Sequence, residues 1–193
     1  MTRVPVLPTI VVALAVAAMI GLGIWQLDRA RWKDGLIAQY GAAAKLPPIA
    51  FPTTLTGSDP PLFRWATGFC LRPVSSRAVA GANRKGETGY VHIVRCATGA
   101  EGPGMTVELG WSRDPNARWK WPGGPVTGMI APDRENGIRL VAASSPAGLE
   151  PSAPPSLASI PNNHRLYAVQ WFLFAGIALL IYVLALRKRL RAK

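Results

Sequence analysis

Two uncharged apolar runs stand near opposite ends of this 193-residue chain, and each is long enough to cross a bilayer. The first lies between Arg3 and Asp28 and is rich in Val, Ala, Ile and Leu; the second runs from Leu166 to Leu186. A helix rises about 1.5 Å per residue, so a run of about 20 residues covers the ~30 Å hydrocarbon core. Spans over residues 6–25 and 164–186 therefore predict a membrane protein whose middle forms a domain of its own. A cleaved signal peptide is the competing reading of the first run, because Thr2-Arg3 is a short basic start. The run is longer than the ~7–15 residues of a signal core. Its exit, Gly23-Ile24-Trp25-Gln26-Leu27-Asp28-Arg29, has no small-x-small cleavage site and sets an interfacial Trp before the charges, as anchors do.

Two spans put both termini on one side. Arg187, Lys188, Arg189, Arg191 and Lys193 make residues 187–193 a basic tail, which by the positive-inside rule belongs to the cytoplasm. Arg29, Arg31 and Lys33 after the first span oppose this against Arg3 alone, but the tail outweighs them. The middle is long enough to translocate whatever its charge, and so is expected outside the cytoplasm. The formal net charge of +12 raises the question of nucleic acid. The basic residues outside the tail are scattered among Pro and Gly, and no basic stripe with interleaved aromatics forms. Charge flanking a membrane accounts for the excess, since anionic headgroups attract such residues by about 1 kcal/mol each.

Residues 26–45 read as a helical extension followed by linker: Leu27, Ala30 and Ile37 fall at helical intervals before Pro47-Pro48, Pro52 and Pro60-Pro61 break the chain. Residues 46–163 have room for one domain. Short β-branched or aromatic runs at residues 63–71, 90–96, 105–111, 126–131 and 139–143, separated by Gly, Asn, Asp or Pro clusters, predict a small, mainly antiparallel sheet or barrel. Val107, Leu109 and Trp111 alternate with Thr106, Glu108 and Gly110, the period of a half-buried strand. Residues 144–161, rich in Ser, Pro and Ala, read as a loop returning to the membrane.

The two cysteines, Cys70 and Cys96, both lie in the exported domain, where a disulfide persists. The alternative is two small buried residues on neighbouring strands. A copper or zinc site is disfavoured, because no Cys-x-x-Cys occurs and His92 is the single nearby histidine. His92, within Tyr90-Val91-His92-Ile93-Val94, reads as an ordinary sheet residue. A copper-delivery protein would need a Met- or Cys-rich motif, and the four methionines are scattered. There is no Gly-x-Ser-x-Gly elbow, phosphate-cradling glycine loop or His-Glu-x-x-His, and acidic residues are few. With two histidines in all, an acid–base apparatus would need unusual parts, and no enzyme is expected.

His164 stands out by its address. In a helix capped by Asn163, His164, Tyr167 and Trp171 fall at i, i+3 and i+7 on one face, at the outer leaflet. Two readings are open there: a neutral imidazole that ligates a metal such as haem iron, or an interfacial aromatic belt.

Two separated stretches resemble the surfeit locus one family of membrane proteins, which assist assembly of haem-copper cytochrome c oxidase. One is Gly23-Ile24-Trp25-Gln26-Leu27-Asp28-Arg29 with Lys33 following, similar to that family's Gly-x-Trp-Gln-x-x-Arg pattern and later Lys. The other is Pro161-Asn162-Asn163-His164-Arg165-Leu166-Tyr167-Ala168-Val169-Gln170-Trp171-Phe172, similar to its Asn-His-x-x-Tyr-Ala-x-x-Trp signature. Between them Gly89-Tyr90-Val91 resembles the family's turn into a strand and Gly110-Trp111 its Arg-Gly-Trp, with Leu109 in place of the arginine.

The resemblance implies a non-enzymatic assembly chaperone of a bacterial inner membrane, with both termini cytoplasmic and a periplasmic central domain. It would receive or present haem a while the oxidase catalytic subunit matures, with the haem a synthesis machinery as a further partner. It also implies His164 as the ligand of the haem iron, Tyr167 and Trp171 as its neighbours, and Trp25 and Gln26 completing the site. The rival function is a membrane scaffold that stabilises an oxidase subunit without touching haem. The two part over His164, which a scaffold tolerates losing.

Overall fold

The computed structural model describes residues 5–55 and 59–191, so the readings that rest on Thr2, Arg3 and Lys193 lie outside the described residues. The elements in chain order are α1 (Val6–Ala43), β1 (Ile49–Ala50), β2 (Trp65–Cys70), β3 (Arg72–Ala82), β4 (Thr88–Ala97), β5 (Met105–Ser112), β6 (Gly124–Asp133), β7 (Gly137–Ala142), a short 3-10 turn (Leu157–Ser159) and α2 (His164–Arg191). They fall into two compact units: the chain up to Ile37 with the chain from Ile160 on, and Ala38–Ser159.

The first unit is the helix pair. Both helices are long and apolar enough to cross a membrane, and both turn large hydrophobics outward, Leu7 at 74% and Leu166 at 68% exposure. A helix apolar all round with its side chains uncovered is one whose solvent is lipid. The buried residues are Gly23 and Ala30 on α1 and Ala168 and Ala175 on α2, one heptad apart in each helix. Small residues let the backbones approach, and the Phe172 ring fills the space a side chain at Gly23 would need. Near the opposite ends, the Thr9 hydroxyl donates to the Pro5 carbonyl at 2.7 Å and so accepts from the Tyr182 hydroxyl at 2.5 Å.

The second unit is a seven-stranded sheet in the order β1-β2-β6-β7-β5-β4-β3. Its pairings are antiparallel except for β1 with β2 and β5 with β7. Only Leu71 separates β2 from β3, and its N–H bonds the Ala97 carbonyl at 2.8 Å. β2, second in the strand order, and β3, at its far end, are thus one bent strand, and the sheet curls back on itself around a core that includes Val94, Val107, Leu109, Ile130 and Leu140. The chain is a membrane protein with two apolar helices flanking a mainly antiparallel β domain.

Three local expectations are corrected, and the choice between a disulfide and two buried thiols is resolved. Residues 72–82, unassigned from sequence, form the long strand β3. Strand β5 is not half-buried: Met105 through Trp111 are all buried, and Glu108, 3% exposed, is covered and paired with Arg139 Nε at 2.7 Å. Residues 144–161 are not only loop, since Glu150 bridges to Trp111 and Ser152 to Asn83. Cys70 and Cys96 are joined as a disulfide with Cα atoms 5.3 Å apart, yet their strands are not neighbours in the sheet; the bond sits where β2 bends into β3.

Candidate functional site

Helix α2 starts at His164 because Pro161 cannot continue a helix backward and the Asn163 carbonyl accepts the Tyr167 N–H at 3.2 Å, the bond of a cap residue. That start holds the imidazole against α1. His164 Nδ1 lies 2.6 Å from Gln26 Oε1, and both side chains are half-buried. An amide oxygen only accepts, so Nδ1 carries the proton and the lone pair of the neutral ring is left on Nε2. Gln26 shares its face of α1 with Gly23, Ala30 and Lys33, at i−3, i+4 and i+7.

A polar clamp follows on the same two helices. Asp34 accepts from Asn162 Nδ2 at 2.8 Å and from Arg165 Nη2 at 2.7 Å, and Lys33 Nζ donates to the Pro161 carbonyl at 2.6 Å. It fixes the first turn of α2 in register with α1, and so fixes the His164–Gln26 pair. The sequence reading did not include Asp34, Asn162 or Arg165 in the site. No spacing in the sequence marks them; the register of the two helices brings them together.

The remaining predicted site residues are spread round this pair. Tyr167 is 49% exposed on the face it shares with His164. Trp171 is half-buried and meets Phe174 edge-on at 6.3 Å between ring centroids. Trp25, 56% exposed, is a 100° step from Gln26 round α1 and, among the described residues, makes no hydrogen bond or ring contact with His164.

In the β domain both nitrogens of His92 are occupied. Trp119 Nε1 donates to Nδ1 at 3.2 Å, so Nε2–H donates to Ser112 Oγ at 2.7 Å, and that hydroxyl donates to the Asp114 carbonyl at 2.5 Å. Burial holds the His92 pKa below the ordinary histidine value, against the opposing pull of the Asp114 charge. Asp133 is the second shifted group. Burial pushes it upward, but the Asn136 N–H and the Arg77 guanidinium outweigh that and keep it below the usual carboxylate range. Leu109, at the position where the resemblance would set arginine, is fully buried in the barrel core. Gly89 and Trp111, from the two middle motifs, pack together, the indole lying where a Cβ on Gly89 would fall.

A model of the SURF1 family matches residues 13–176, a stretch that takes in most of α1, the start of α2, the whole sheet and the His164–Gln26 pair. No curated protein sequence matches the chain.

Proposed function

Because this chain belongs to the SURF1 family, which is associated with cytochrome oxidase assembly, we propose that it carries haem a as cargo and presents it to the oxidase catalytic subunit at the outer edge of the membrane. The observation that carries this reading is the 2.6 Å contact between His164 Nδ1 and Gln26 Oε1. Haem iron takes a neutral imidazole nitrogen as axial ligand, and a partner on the other ring nitrogen fixes the tautomer and raises the ligand's basicity. The donor set fits the cargo: one imidazole with its Nε2 lone pair uncommitted, on a helix that exposes Tyr167 beside it.

The role of each residue follows from its place. His164 holds the iron, Gln26 holds His164, and the Asp34–Asn162–Arg165 clamp holds the first turn of α2, which carries His164, in register with α1. Tyr167 and Trp171 offer aromatic surface to the macrocycle, and Trp25 supplies an interfacial anchor on α1. A single protein ligand suits transfer, because one bond is exchanged for the ligands of the acceptor. No bond of the cargo is made or broken beyond that exchange, so the function is that of a chaperone. The haem a synthesis machinery is the donor this scheme needs. The protein then lies in a bacterial inner membrane with both termini cytoplasmic and the β domain periplasmic.

The test is oxidase maturation in cells carrying His164→Ala or His164→Asn at equal membrane abundance. Haem handling predicts that both variants lower the haem a content of the oxidase. Full maturation with both would favour a scaffold that never touches haem.

A further inference from the structure

One cleft in the β domain is independent of the helix pair. It measures about 820 Å³ and is walled by Ser76, Arg77 and Ala78 of β3, His92 of β4 and residues 115–120 of the β5–β6 loop. A volume of that size is in the range of real ligand sites. Its lining carries three cations, Arg77, Arg118 and Lys120, and no carboxylate.

The loop is held firmly. Trp121 is buried in the barrel core and Trp119 packs against it, while the Trp119 indole also donates to the buried His92. Along this segment exposure alternates: Arg118 and Lys120 are exposed, Trp119 is half-buried and Trp121 buried. Alternation of that kind belongs to an extended chain, so the two cations point the same way, roughly 7 Å apart along the backbone.

The charges differ in what they already face. Arg77 is compensated by Asp133 and Glu135, each at 2.5 Å, and the Asp114 carboxylate accepts from the Asn116 N–H at 2.9 Å. Arg118 and Lys120 have no hydrogen-bond or ion-pair partner among the described residues. Two cations anchored by tryptophans beside an open cleft form a preorganised surface of one sign, which attracts the opposite sign.

We propose that this cleft docks an extended acidic segment of a partner protein, with carboxylates on alternate residues to match Arg118 and Lys120. A strand presents every second side chain to the same face, so such a segment aligns both carboxylates with both cations. This proposal does not rest on the haem reading.

The test uses the full chain in nanodiscs of neutral lipid and a fluorescein-labelled peptide of alternating Ser and Glu, with its Ser–Gln counterpart as control. Saturable binding of the Glu peptide is expected, weakening with salt, with no binding of the Gln peptide. The double variant Arg118→Glu with Lys120→Glu should bind at least tenfold more weakly and should take up a Ser–Lys peptide instead. His164→Ala should bind like the parent. No saturable binding, equal binding by the charge-reversed variant, or binding of phosphatidylglycerol vesicles through these residues in place of the peptide would overturn the proposal. The gain of Ser–Lys binding guards against loss by misfolding.

Discussion

His164 and Gln26, 138 positions apart in sequence, meet at 2.6 Å between Nδ1 and Oε1, which brings together the two family-like motifs at the ends of the chain. The amide fixes which nitrogen carries the proton, and the small-residue seam of Gly23, Ala30, Ala168 and Ala175 brings the amide there.

Gln26→Leu should therefore change the ring without removing it. The nitrogen-15 spectrum of His164 is expected to move from one dominant tautomer toward a mixture, and haem affinity to fall by roughly 10- to 100-fold, as for other partners of a metal-ligating histidine. Gln26→Glu keeps an acceptor and should retain most of the affinity. An unchanged tautomer ratio in Gln26→Leu would show that the amide does not position the ring.

Much of the architecture was legible because membranes impose strong patterns. Charge-free length marked both helices, and β-branched runs marked five strands. Strand β3 escaped because Arg72-Pro73-Val74-Ser75-Ser76-Arg77 carries little of the β-branched and aromatic content that marks strands; its partner β4 and its place at the end of the strand order supply the structure instead. Strand β5 misled because Thr106 and Glu108 look like a wet face, whereas Arg139 neutralises Glu108 in a covered one. The clamp at Asp34 was illegible from spacing alone, since charged residues beyond a span usually mean solvated headgroup contacts, and only the helix register pairs them.

The disulfide joins residues 26 apart, and a loop of that length constrains the unfolded chain by about 3–4 kcal/mol. Cys70→Ala with Cys96→Ala is expected to lower the unfolding free energy of the β domain by about that amount, read as a shift of the denaturant midpoint. Alkylation without reductant should label neither cysteine, and full labelling of both would remove the bond from the account.

His92 makes the β domain sensitive to acid. Its folded pKa lies below the ordinary value of 6.5, so the unfolded chain takes up a proton first as pH falls. Its contribution to stability is complete above about pH 6.5 and is lost as pH drops from there toward the folded pKa. Asp133, lowered from 3.8, adds a further loss only below that value. Chemical unfolding of wild type between pH 7 and 5 should show stability falling, and His92→Gln should flatten that slope while leaving the loss below pH 4. Parallel curves would reject the histidine as the source.

Orientation is open to a simple fusion experiment. A reporter active only in the cytoplasm, joined after Gly102 in the β4–β5 loop, should stay silent, while the same reporter after the basic tail should be active. Signal at Gly102 would invert the topology and place the His164 site at the inner leaflet.

The central claim is that His164 holds haem, and it is tested most directly by the absorption spectrum of the full chain purified from cells that make haem a. Wild type is predicted to show a haem a spectrum that His164→Ala loses at equal membrane abundance, with Tyr167→Ala and Trp171→Ala intermediate and His92→Ala close to wild type. Equal haem content in wild type and His164→Ala would contradict the account and leave the helix pair as a scaffold.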